Sequence, residues 1–232
     1  MMIRSLEMKK ALMVLSFAVV LATGASFADP VEVDVTITRG PGLSFTVYLA
    51  GSVFDGVPVH TGVYYVNGSA GYCVDLIHSV QWGKTYAATL DEMKNWGAPN
   101  STPTSPLPDA GAHAAWLYHR YGDAAPAGYS EAKVRAALQL AIWNVLYDKD
   151  FDVLTGNFSA DGDAAAMGLA NSWLADLNSA IQSGGGTSNA VWVKTLDFQE
   201  TTETQDFMVP EPGVLILLGT GLFGLGVVRR RR

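Results

Sequence analysis

The sequence predicts an α+β fold, with a strand-rich core, sandwich or barrel-like, and a helical insert of about three helices. Three observations predict it. Two-residue alternation of apolar and polar side chains marks the first part of the chain from Val31 onward. A polar loop with four prolines, Gly97–Asp109, then separates it from a stretch of helical periodicity. A last β-type run, Val191–Phe198, follows the helices and can return to the sheet.

The elements follow in chain order. Val33, Val35 and Ile37 alternate with Asp34, Thr36 and Thr38, which marks a half-buried strand over Val31–Arg39. Gly40-Pro41-Gly42 reads as a turn, and Leu43–Ala50 as a second strand. Two more strands are expected in GVYYVNG and GYCVDLIHSV, joined by a hairpin turn at Asn67-Gly68. Ala110–Tyr121 reads as a helix broken by Gly122. Ser130 is the expected N-cap of a stronger helix to about Asp148, with Val134, Leu138, Ala141, Ile142 and Val145 along one face. A third helix, from about Asp163 to Gln182, stacks Met167, Ala170, Leu174, Leu177 and Ile181, and Gly184-Gly185-Gly186 ends it.

The two ends carry targeting features. Arg4, Lys9 and Lys10 precede the apolar run Ala11–Ala22, and Ser26 and Ala28 follow at signal-peptidase spacing. This order is that of a secretory signal, with cleavage expected after Ala28. The run is too short for a comfortable bilayer span, which needs about 20 residues. At the other end Val214 to Val228 carries no charge, and Arg229, Arg230, Arg231 and Arg232 follow. A basic cluster after an apolar stretch stays on the cytoplasmic side of the membrane. Gly219, Gly221, Gly224 and Gly226 weaken the stretch as a lasting transmembrane helix, so transient anchoring in the inner membrane is expected. Pro210-Glu211-Pro212, an apolar helix and an arginine cluster, in that order, resemble the PEP-CTERM sorting signal. The resemblance implies processing by an exosortase-type enzyme and residence in the cell envelope, on the cell surface or in the extracellular matrix. The expected organisation is a signal peptide over 1–28, a domain over 29–199, a linker over 200–209 and a sorting signal over 210–232.

Between the ends, residues 29–209 hold 8 Lys and Arg against 20 Asp and Glu, a net charge of −12. Such a chain repels nucleic acid and anionic lipid, so no nucleic-acid partner is expected. About 170 residues suffice for one domain with a real core. Cys73 is the single cysteine, so no internal disulfide can form. Nothing in the composition calls for a cofactor.

Two short segments carry the candidate chemistry. One is Tyr72-Cys73-Val74-Asp75-Leu76, in a predicted strand; the other is Leu138-Gln139-Leu140-Ala141-Ile142-Trp143, in the strong helix. At 100° per residue Gln139 falls at the edge of the apolar face, flanked by Ile142 and Trp143 one turn on. It is therefore expected to be neither fully buried nor fully solvated. The pair of segments resembles the thioester domains of bacterial surface adhesins. That family carries an aromatic-Cys segment and, later, Thr-Gln-x-Ala-Ile-Trp. Tyr72-Cys73 and Gln139-Leu140-Ala141-Ile142-Trp143 match; Leu138 departs, standing where the family has threonine.

The resemblance implies a bond between Cys73 and Gln139, in an environment of Tyr72, Asp75, Ala141, Ile142 and Trp143. It further implies covalent capture of an amine or hydroxyl on a surface or matrix partner. This is single-use chemistry rather than enzyme turnover. Two other readings stand beside it: an unreactive structural protein of an exopolysaccharide or biofilm matrix, and a Cys-dependent hydrolase or transferase. Buried cysteines are commonly just small apolar side chains.

Other polar residues give weaker signals. His60, His78, His113 and His119 lack metal-ligand spacing, and ordinary polar roles are expected for them. Asp148, Asp150 and Asp152 resemble the start of a calcium loop, with Asp161 and Asp163 nearby. Val153 stands where the loop needs glycine, and Ser159 where it needs glutamate. A solvated acidic loop is the expectation there.

Overall fold

The computed structural model describes residues 31–52, 55–98, 106–196 and 204–211. The expected signal peptide, Pro212, the apolar stretch 214–228 and the four closing arginines lie outside the described residues. Among the described residues no helix is long and apolar enough to cross a membrane.

The chain is α+β, as expected. Its described strands are β1 (Val31–Leu49), β2 (Val57–Val66), β3 (Ser69–Cys73), β4 (Thr85–Glu92), β5 (Phe158–Asp161), β6 (Val191–Leu196) and β7 (Phe207–Val209). Its helices are α1 (Ala110–Tyr121), α2 (Glu131–Tyr147) and α3 (Ala164–Gln182), with a short 3₁₀ turn at Met93–Asn95. All ladders are antiparallel, in the order β2-β3-β7-β6-β4-β1-β5, and β2 also pairs with β1. That extra pairing closes β2, β3, β7, β6, β4 and β1 into a six-stranded barrel, with β5 added outside β1.

The length of β1 makes closure possible. Nineteen residues extend about 60 Å at the usual rise per residue. Residues 31–36 pair with β4, and residues 37–47 pair with β2. The turn expected at Gly40-Pro41-Gly42 is instead a bulge inside this one strand, where the register shifts between Arg39 and Gly42. Pro41 sits where the ladder is interrupted and its missing N–H costs nothing. Gly42 is required sterically: a Cβ there would lie 2.3 Å from the Thr61 carbonyl oxygen on β2. Glycine and proline mark turns and bulges alike, so local sequence could not choose between them.

The hairpin at Asn67-Gly68 forms as expected. Both residues have positive φ, 51° and 85°, as a two-residue I′ turn demands. The Asn67 side chain ties the turn to β1, accepting from the Thr36 N–H and donating to the Asp34 carbonyl.

The three helices match their expected spans closely. Ser130 caps α2 by accepting from the Lys133 N–H. α2 packs against α1, α3, β1 and β2. Surrounded in this way it is buried on every face from Ala136 to Tyr147, not only along the expected stripe.

The polar linker expected over 200–209 is a second correction. Phe207, Met208 and Val209 form β7, fully inserted between β3 and β6. The domain thus runs past 199, to Val209. Three apolar residues behind a polar run gave too short a pattern to read as a strand; only the open slot between β3 and β6 makes them one.

Candidate functional site

Cys73 is the last residue of β3 and is fully buried. Its neighbours explain what it needs. On one side it faces Phe207 of β7. The next residue, Val74, turns its N–H to that side and donates to the Asp206 carbonyl at 3.0 Å. By strand alternation the N–H and C=O of Cys73 point the other way. There the ladder with β2 has already ended, at Tyr64 opposite Gly71. Two buried backbone groups would be left without partners.

Gln139 supplies both. The Cys73 N–H donates to Gln139 Oε1 at 2.9 Å, and Gln139 Nε2 donates to the Cys73 carbonyl at 2.8 Å. The glutamine side chain stands in for the missing strand. Gln139 is 0% exposed, which corrects the expected half-solvated position at the helix edge. The helix wheel placed it relative to one face, but α2 has no exposed face at that level.

The sulfur has its own partners. Cys73 Sγ donates to the Asp75 carbonyl at 2.9 Å, and Gln205 Nε2 donates to Sγ at 2.9 Å and toward the Asp75 carbonyl at 3.4 Å. The Trp143 indole N–H is buried without a partner at strict hydrogen-bond geometry, yet its side chain stands close enough to the sulfur to favour the thiolate. Burial outweighs these donors, and the negative charge of Asp75 adds to burial, so the thiol is pushed far above the ordinary thiol range.

The segment after Cys73 is fixed from two directions. Tyr147, at the end of α2, accepts from the Leu76 N–H at 3.1 Å and donates to the Val74 carbonyl at 3.2 Å. The Asp75 carboxylate accepts from the Ile77 and His78 N–H groups and from His78 Nδ1, the last at 2.5 Å. Burial raises the Asp75 pKa, with the His78 contact opposing it.

Of the expected environment, Asp75 and Trp143 do gather at the sulfur. Tyr72 does not: it lies on the opposite face of β3 and meets Tyr118 of α1 edge-on, with ring centroids 5.7 Å apart. Ala141 and Ile142 are fully buried in α2 and offer no polar atom. Gln205, which sequence reasoning missed, touches the Cys73 sulfur directly. It lies 132 residues from Cys73. Its only local signal was a glutamine in a polar run.

The remaining polar residues settle into local roles. His113 and His119 pair with the Gly186 and Asn189 carbonyls, and His60 with Arg39. Burial, helped by the Arg39 charge, lowers the His60 pKa to about 4. In the acidic loop, Asp148 accepts from the Lys149 and Phe158 N–H groups, Asp150 from the Asp152 N–H and the Thr155 hydroxyl, and Asp152 from the Leu154 N–H. Among the described residues no cluster of three His, Cys, Asp or Glu side chains is arranged to hold a metal ion.

Residues 209–232 match the PEP-CTERM protein-sorting motif. The motif indicates an exported cell-surface protein processed by exosortase. Its first residue, Val209, is also the last residue of β7. A comparison with curated proteins gives no match.

Proposed function

We propose that this cell-surface protein forms an internal thioester between Cys73 and Gln139 and uses it once, to capture a nucleophile on a surface or matrix partner. The observation that carries the reading is the two-point clamp of the Gln139 carboxamide on Cys73. The clamp holds the side-chain carbonyl against the residue that bears the thiol, replacing concentration with geometry. Such preorganisation is worth roughly 7–11 kcal/mol of barrier. The Cys73 N–H that donates to Oε1 also polarises the carbonyl and supports the oxyanion as sulfur adds.

The atoms balance simply. The sulfur–carbon bond forms, the carbon–nitrogen bond of the Gln139 amide breaks, and the thiol proton leaves with the nitrogen as ammonia. An amine or hydroxyl of the partner then attacks the same carbonyl carbon. The partner becomes bound as an amide or ester, and its displaced proton ends on the Cys73 sulfur. The protein is consumed, so it is not a turnover enzyme. Leu138 is fully buried and brings no hydroxyl to the site; here the Cys73 backbone orients the glutamine instead. The apolar stretch 214–228 and its arginines hold the chain in the inner membrane until exosortase acts.

A rival reading draws on the same clamp. A buried glutamine that completes the end of a strand is also what an unreactive matrix protein of this fold would need. Intact mass separates the two. The thioester makes the purified chain one ammonia lighter than its sequence, and Cys73→Ala and Gln139→Ala both restore the full mass. Methylamine then adds its own mass and frees one thiol. A wild-type chain of full mass, with an unmodified glutamine at 139, selects the structural protein. A Cys-dependent hydrolase would instead show a thiol that is alkylated readily in the native state.

A further inference from the structure

Resting on the thioester reading, we infer that Gln205 takes part in the capture reaction, its side-chain N–H holding the Cys73 sulfur and stabilising it as thiolate when the nucleophile displaces it. The sulfur departs inside a fully buried site, where an anion without donors is expensive. The Asp75 carbonyl, the closest acceptor, serves a thiol that carries a proton. It offers nothing to a thiolate but its own lone pairs. Gln205 Nε2, at 2.9 Å from Sγ, is the donor already in place, and it needs no movement when charge appears on the sulfur. The buried Trp143 indole N–H, without another partner, stands by the same atom as a second donor. The cradle spans distant parts of the chain: Trp143 comes from α2, and Gln205 from the segment leading into β7.

The position of Gln205 is set by its surroundings rather than by its own sequence. Asp206, next to it, accepts from the Trp192 indole N–H and the Thr195 N–H on β6, and Phe207 beyond it enters the barrel beside Cys73. The chain is thus anchored immediately after Gln205, and its side chain is delivered to the sulfur.

The test uses the full chain, purified in detergent, as wild type, Gln205→Met and Gln205→Glu. Methionine keeps the length and cover of glutamine without a donor. Glutamate keeps its shape and sets a negative charge against the leaving thiolate. Mass spectrometry reads the ammonia deficit and the rate of methylamine incorporation, and the thermal midpoint checks folding. The expected result is a wild-type chain carrying the deficit and native variants that capture methylamine more slowly. The slowing should be about tenfold for Gln205→Met and larger for Gln205→Glu, as loss of a hydrogen bond to a charged group implies. Variants that keep their thermal midpoint but form the bond more slowly report the same donor acting in the reverse direction. Capture as fast as wild type, or faster, in variants carrying the deficit overturns the role of Gln205 and leaves the thioester standing. A wild-type chain of full mass with an intact Gln139 overturns the thioester and the role of Gln205 with it.

Discussion

The Cys73 seam draws its partners from α2, and the acidic loop from Asp148 to Asn157 leaves the end of the same helix; both stand out in the sequence as places for chemistry. They are built in opposite ways. At Cys73 the partners come from far away: Gln139 is 66 residues off and Gln205 is 132. In the loop five of the seven carboxylate contacts are to a backbone N–H or hydroxyl one to ten residues away, and the other two come from the side-chain amides of Asn144 and Asn171. Gly156 lets the loop close on itself: with φ at 92°, its α-carbon lies so near Asp148 and Asp150 that a Cβ would meet both carboxylates. Groups that only complete their own loop are doing a folding task, whereas groups brought from several elements onto one atom are arranged around that atom.

The largest expected effect tests the seam. Gln139→Ala removes the mass deficit that the thioester predicts and, compared with chain that still carries the Gln139 amide, leaves the Cys73 N–H and C=O buried and unpaired. At about 1–3 kcal/mol for each orphaned group, urea unfolding should show a loss of several kcal/mol relative to that chain. A loss below about 1 kcal/mol would mean that water replaces the clamp, and that the seam is less closed than described.

Gly156→Ala comes next and tests the loop. Its strained backbone and the clash with two carboxylates should cost about 2–3 kcal/mol, read as a lower thermal midpoint, while methylamine capture stays at the wild-type rate. A matched fall in capture would show the two regions to be coupled.

A third outcome concerns pH. In Gln139→Ala the thiol persists, and its folded pKa lies above its ordinary value of 9.0. The folded state therefore holds the proton more tightly than the unfolded state. The stability this provides is present below pH 9 and falls away as pH rises above it. Wild-type protein carrying the thioester has no thiol to titrate and should lack this component. Equal alkaline stability curves for the two chains would argue against the bond. The same variant should resist alkylation at pH 8 when native and react fully in denaturant.

The smallest effect is expected from calcium. Millimolar calcium should leave the thermal midpoint unchanged, because the loop carboxylates already accept from their own backbone. A rise of several degrees would place the acidic loop among ligand sites and erase its contrast with the seam.

Parts of this design were legible before any coordinates. Two of the helices are capped where Ser130 and Asp163 stand, and the I′ turn falls at Asn67-Gly68, because caps and tight turns depend on a few adjacent residues. Cys73 and Gln139 were legible as a pair through resemblance to a family, not through spacing. β4 was missed although Tyr86, Ala88 and Leu90 alternate inward along it, since alanine and threonine dilute the contrast. β5 is four residues long and exists only because β1 offers it an edge.

The helices, the hairpin, the acidic surface and the sorting signal follow from local sequence and composition. Each rests on contacts within a few residues or on composition, which any conformation of the chain carries with it. The tertiary structure decided that Gly40-Pro41-Gly42 bulges rather than turns, that Phe207–Val209 becomes a strand, that Gln139 is wholly buried, and that Gln205 meets the sulfur. Those outcomes depend on which groups are left unpaired once the barrel closes, and closure joins residues that local sequence cannot relate.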